Sequence, residues 1–141
     1  VPLIAGMAKA LEVFDRDQSF RMEQVGKLRD RLQQLLKETC NPVIVHGEHA
    51  PRLPNTLSVA FPGADGEAML VNFDLEGIAC SLGSTCASGS AEPAPSLLAM
   101  GCAAEVCKSS VRFSLSAQNT MEEVESAAQR IASVVARLRA G

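Results

Sequence analysis

The sequence predicts an α+β domain: a small, mostly antiparallel sheet with helices packed on one side. Three observations carry this. Apolar residues near both ends recur at helical spacing, two short segments alternate apolar and polar residues, and the order helix, helix, strand, strand, helix, strand, loop, helix, strand, helix does not alternate as a parallel βαβ array would.

The helical spacing is clearest at the start and the end of the chain. Ile4, Met7, Ala8, Leu11 and Phe14 form one apolar stripe, and Val25, Leu28, Leu32, Leu35 and Leu36 form a second, with a break near Asp15 to Ser19. The second helix should stop before Asn41-Pro42, because proline disfavours helix in the residue before it. At the other end Thr120 and Glu123 make a capping-box pattern ahead of Val124, Ala128, Ile131, Val135 and Leu138.

Between them, Val43-Ile44-Val45 reads as a short strand, and residues 56–61 place Leu57, Val59 and Phe61 on one face. A helix over about Gly66 to Asp74 turns Met69, Leu70 and Phe73 inward, with Gly77 as its left-handed terminator. Ile78-Ala79-Cys80 reads as a brief strand, residues 81–94 as a loop, and Ser96 to Met100 as a helical turn or two ending at Gly101. Val111, Phe113 and Leu115 alternate with Arg112, Ser114 and Ser116 as a last strand.

A chain of 141 residues, 47% hydrophobic and 21% charged, can bury one core and is neither disordered nor collagen-like. A net charge of -3 with scattered basic residues argues against nucleic acid as a partner. The basic end at Arg137 and Arg139 is the pattern that complements a helix C-terminus. No apolar run is long enough to cross a bilayer and no signal-peptide pattern opens the chain, so the expectation is a soluble, cytoplasmic protein without a membrane partner. Five unevenly spaced cysteines fit reduced thiols better than a disulfide framework. The opening Val1-Pro2-Leu3, without an initiator methionine and directly entering a helical pattern, suggests a segment of something longer.

The loop Cys80-Ser81-Leu82-Gly83-Ser84-Thr85-Cys86-Ala87-Ser88-Gly89-Ser90 surrounds Cys86 with small polar residues. An exposed thiol can act as a nucleophile, although most loop cysteines are inert and composition alone would leave Cys86 among them. Cys80 with Cys86, or Cys102 with Cys107, matches no common zinc spacing, so no metal is expected. His46-Gly47-Glu48-His49 reads as a turn with two solvated histidines, and Asn55 as a turn or strand-entry residue.

What singles out Cys86 is the surrounding string. Residues 83–90, then Glu92-Pro93, Leu97-Leu98-Ala99-Met100-Gly101 and Val111-Arg112-Phe113-Ser114-Leu115-Ser116 resemble, in order, the C-terminal signature of NifS/IscS-type cysteine desulfurases. Arg52-Leu53-Pro54-Asn55-Thr56-Leu57-Ser58 and Asp65-Gly66-Glu67-Ala68 extend the likeness upstream. Thr85, where the family usually has alanine, and Pro95, where histidine is frequent, are departures that bear on loop flexibility and rate.

The resemblance implies the C-terminal part of a pyridoxal-phosphate enzyme in which Cys86 attacks the sulfur of L-cysteine, takes it as a persulfide, and passes it to a scaffold or carrier protein for iron-sulfur clusters or thiolation. It implies that Arg112 binds the substrate carboxylate, for which a guanidinium fork is suited, and that the intact protein is a homodimer. It also implies a division into residues 1–40, a helical segment leading from the cofactor domain, and residues 41–141, a small domain carrying the 81–94 loop. The family's cofactor lysine has no counterpart: Lys9, Lys27, Lys37 and Lys108 stand in other contexts, so pyridoxal phosphate is expected on an upstream domain and the segment alone is expected to be inactive. A selenocysteine lyase, another class-V aminotransferase relative, or a noncatalytic sulfur-relay module are the alternatives.

Overall fold

The computed structural model describes residues 1–83 and 94–141. In chain order its elements are α1 (Pro2–Arg16), α2 (Gln18–Thr39), β1 (Ile44–Val45), β2 (Thr56–Ala60), α3 (Gly66–Leu75), α4 (Pro95–Ala99), α5 (Ala104–Lys108), β3 (Ser110–Ser114) and α6 (Met121–Ala140). The α+β class holds, and the sheet is antiparallel throughout, in the order β1-β2-β3.

The alternation of β2 and β3 sets the register. Leu57 faces Phe113 and Val59 faces Val111 on one side of the sheet, while Ser58 faces Arg112 and Ala60 faces Ser110 on the other. The first set is buried under α2, α3 and α6, whose Leu32, Leu36, Phe73 and Ile131 join it in one core. Phe73 and Phe113 meet with ring centroids 6.0 Å apart and planes tilted by 48°, a favourable aromatic geometry.

Asp17 separates α1 from α2 where the spacing of apolar residues breaks. The two helices then behave differently. Val25, Leu28, Leu32 and Leu36 of α2 are buried, whereas α1 buries nothing among the described residues and leaves Leu3, Ile4, Met7 and Leu11 exposed.

Helix α6 starts with the expected capping box: Glu123 N donates to Thr120 Oγ1 at 3.1 Å and Thr120 N donates to Glu123 Oε2 at 3.0 Å. At its other end Arg139 donates to the carbonyls of Cys40 at 2.8 Å, Pro42 at 2.6 Å and Pro62 at 3.0 Å. Of these only the Cys40 carbonyl, at the C-cap of α2, belongs to a helix end, while Pro42 and Pro62 lie in the turns after α2 and β2.

Three local expectations need correction. Leu70 is half-buried, while Met69 and Phe73 are fully buried, because residues four apart share one face of α3 and Leu70 lies about 100° round from Met69. The strand expected at Ile78-Ala79-Cys80 does not form. Gly77, at φ 72°, ends α3 in a Schellman turn with Gly77 N on Asp74 O at 2.9 Å and Ile78 N on Phe73 O at 2.8 Å. The turn uses the Ile78 donor, and the chain reaches the sheet only at Ser81, as a single antiparallel bridge to Arg112. Finally, α5 was not foreseen, since five residues are too few for helical periodicity to show.

The α4–α5 pair forms a smaller cluster of Ala94, Leu97 and Cys107, separate from the main core. It is tied to the sheet face opposite α6 by Ser110, whose Oγ donates to Val106 O at 2.7 Å.

At Gly66 a Cβ would lie 2.5 Å from the Lys108 carbonyl oxygen, a backbone atom that cannot step aside. Gly66→Ala should therefore destabilise the fold by about 1–3 kcal/mol, read as a lower urea midpoint. Thr120→Ala should lose about 1 kcal/mol in the same measurement, since the α6 cap has no substitute donor or acceptor of the same geometry.

Candidate active site

Arg112 stands at the centre of β3, on the face away from the core, with its side chain exposed as the alternation predicts. Among the described residues nothing pairs with its guanidinium. Its backbone is engaged instead: Arg112 N donates to Ser81 O at 2.7 Å and Ser81 N donates to Arg112 O at 3.0 Å. Both hydrogen bonds of the bridge thus hold the start of the cysteine-bearing segment against the arginine's own strand.

Cys86, with Ser84, Thr85 and Ser88, lies outside the described residues. The two sides of that stretch are described and they meet. A Cβ built on Gly83 would lie 3.7 Å from the Ala94 Cβ, and Ala94 is buried as the anchor of α4. Ser81 Oγ accepts from Gly83 N at 3.2 Å and bends the chain at this point. Sequence reasoning treated Ser81 as one more loop residue. Only the pairing with Arg112, 31 positions later by the numbering of the bridge, marks it as a positioning residue.

The other cysteines are placed to different effect, and the four described ones are free thiols, as their spacing suggested. Cys80 is half-buried, and desolvation, with the charge of Asp74 as a smaller cause, pushes its thiol up to about 11. Cys40 and Cys107 are buried, and desolvation raises both. Such thiols stay protonated near neutrality and are poor nucleophiles.

His46 departs from expectation. His49 is exposed in the turn, but His46 is 7% exposed, with its Nε2 2.9 Å from Ser110 Oγ and its Nδ1 3.6 Å from Cys102 Sγ. Burial lowers its pKa. The partners lie 64 and 56 residues away in the chain, so no local pattern could have joined them. At the entry to β2 the backbone carbonyl of Asn55 accepts from Leu115 N at 2.8 Å, and its Oδ1 accepts from Thr56 Oγ1 at 3.4 Å.

The lysines bear on the cofactor expectation. Lys9 pairs with Glu12, Lys27 with Glu23, Lys37 with Glu48 and Lys108 with Glu105, each with about half or more of its side chain in solvent. A Schiff-base lysine needs a desolvated, unpaired amine beside a ring-binding cavity. None of the four fits, and among the described residues no lysine is set to hold pyridoxal phosphate.

With this geometry in view, the chain belongs to the class-V aminotransferase family, whose model matches residues 1–126. The chain is 40% identical to a cysteine desulfurase of Sinorhizobium fredii, covering 98% of this chain and 36% of that protein. It is also 40% identical to a cysteine desulfurase of Enterobacter agglomerans, over 96% of this chain and 34% of that one. Among solved structures, a NifS-like protein from Rickettsia africae matches with TM-score 0.74 and 32% identity over 92% of this chain and 32% of its own. A second NifS-like protein matches with TM-score 0.81 and 28% identity over 96% of this chain and 33% of its own. The chain spans about a third of the length of these relatives.

The raised pKa of Cys80 sets an expected rate. Iodoacetamide at pH 8 should modify Cys80 in the folded protein about a hundredfold more slowly than in the urea-unfolded chain, because two pKa units remove that much thiolate. Site-resolved mass spectrometry of the alkylated peptides measures this directly.

Proposed function

We propose that this chain is the sulfur-accepting part of a cysteine desulfurase that converts L-cysteine to L-alanine and leaves a persulfide on Cys86. The reading is supported above all by one observation: Ser81, five residues before Cys86, is bridged to Arg112 through both of its backbone groups. A chain advances at most about 3.6 Å per residue, so this anchor tethers the nucleophile to the strand that carries the carboxylate-binding arginine.

The division of labour follows from residue type. Arg112 presents an exposed, permanently charged fork that matches a carboxylate in two parallel hydrogen bonds. It holds the amino acid by the end that does not react. Cys86 attacks the substrate sulfur, the carbon-sulfur bond breaks, and the sulfur stays on the protein as a persulfide for a scaffold or carrier protein serving iron-sulfur clusters or thiolation. A tethered loop suits a thiol that must meet substrate and later an acceptor. Burial keeps Cys40, Cys80 and Cys107 from competing.

In this reading pyridoxal phosphate, which would supply the electron sink, is held by a part of the intact protein beyond these 141 residues, and the working form is a homodimer. Residues 1–40 lead from that cofactor domain, and residues 41–141 form the small domain with the 81–94 loop. The segment alone should not turn over.

The test uses the full-length protein with pyridoxal phosphate and L-cysteine. Cys86→Ser should lower alanine formation at least about a hundredfold and abolish the persulfide, because no other thiol occupies the tethered loop. Arg112→Lys should cost about 10–100-fold in kcat/KM, the loss of one charge-assisted hydrogen bond. Persulfide sulfur found by mass spectrometry on Cys80 or Cys102 and never on Cys86 would overturn the assignment.

A further inference from the structure

The hydrogen bonds around His46 fit one set of directions, fixed by which nitrogen of its ring carries the proton. Ser110 Oγ has one proton, and the Val106 carbonyl 2.7 Å away can only accept it. With that proton given to Val106, Ser110 accepts from His46 at 2.9 Å and the imidazole carries its proton on Nε2. That leaves the Nδ1 lone pair facing Cys102 Sγ at 3.6 Å, where the thiol is the donor. The chain of donors runs from Cys102 through His46 and Ser110 to the backbone of α5.

His46 is fixed in this role. It is 7% exposed, its backbone N donates to Ser58 O at 2.9 Å, and burial keeps the ring neutral, with its lone pair available. Cys102 is only half-buried, between α4 and α5, where it packs against the small cluster. The other described thiols lack such a partner. Cys107 donates to the Cys102 carbonyl at 3.8 Å, Cys40 lies beside the Thr39 hydroxyl, and Cys80 has only the repelling charge of Asp74. Lys108 and Glu105 on α5 are paired with each other. No group of three metal-binding side chains occurs among the described residues, which argues against reading Cys102 and His46 as part of a cation site.

We propose that Cys102, with His46 as its proton acceptor, is a second reactive-thiol site, on the sheet face away from α6, open to reversible thiolation by low-molecular-weight disulfides. Cys102 Sγ attacks one sulfur of the disulfide, the S–S bond breaks, and a Cys102–S bond forms. The electron pair leaves with the other sulfur. The thiol proton passes to His46 Nδ1 and from there to solvent, and the departing thiolate takes a proton from water to leave as a thiol. Cys102 is oxidised, the released thiol is reduced, and exchange with a second thiol reverses the step. His46, in contact with the reacting sulfur, is the general base in this chemistry.

The test exposes the full-length protein to oxidised glutathione at neutral pH and follows each cysteine by peptide mass spectrometry. A free thiol is only a few per cent thiolate at that pH, so proton acceptance by His46 should speed the reaction of Cys102 about tenfold over a synthetic peptide of residues 98–106. His46→Gln should remove that advantage and leave Cys80 unchanged. Long-range ¹H–¹⁵N spectra of the imidazole should show the proton on Nε2, the tautomer that leaves the Nδ1 lone pair for Cys102. A Cys102 no faster than the peptide, a rate unaffected by His46→Gln in a folded variant, or a proton on Nδ1 would each overturn the proposal. Should the variant fail to fold, the wild-type rate and the tautomer still decide.

Discussion

The pairing of β2 with β3 is the constraint on which the rest depends. With Leu57 opposite Phe113 and Val59 opposite Val111, the large apolar side chains of both strands reach the core, and Ser58, Ala60, Arg112 and Ser110 are turned the other way. Side chains alternate with a period of two, so a slip of one residue would bury Arg112 and expose Phe113. The burial of an unpaired guanidinium makes that alternative prohibitive. The same register that closes the core therefore also presents the arginine, gives Ser81 its backbone partner, and carries Ser110 to His46.

Around this sheet the helices divide the work. Helix α6 spans the core face, and Arg139 at its end gathers carbonyls from the end of α2 and the turn after β2, so that three segments distant in sequence are held by one planar cation. Such a fork satisfies acceptors that a helix end would otherwise leave to water. On the opposite face α4 and α5 build a small second cluster. That face is where Arg112, the ends of the cysteine-bearing segment, and the His46 and Cys102 pair are found.

Cysteine chemistry in this chain is graded by environment. The thiols that pack into or against the core are held protonated by desolvation, most clearly Cys80 at about 11. Cys102 differs through a hydrogen bond to a neutral imidazole. Residue type alone does not separate them, because reactivity follows the thiolate fraction and the access that the fold allows.

Much of the fold was legible in the residues themselves. Strict alternation at 56–61 and 111–115, the stripe and capping box of α6, and the break at Asp17 are local patterns whose meaning rests on backbone geometry. The ordered motifs around Cys86 and Arg112 pointed to a family, and the outward placement of Arg112 followed from the alternation. What local pattern could not supply was anything decided between distant segments. The loss of the Ile78 to Cys80 strand, the bridge from Ser81 to Arg112, the reach of Arg139 across the core and the burial of His46 all depend on partners tens of residues away. By itself, the sequence determined which side chains could do chemistry. The tertiary structure decided which of those described face solvent, which thiols burial silences, and which residues meet, because solvation and proximity are properties of the packed chain and not of its order.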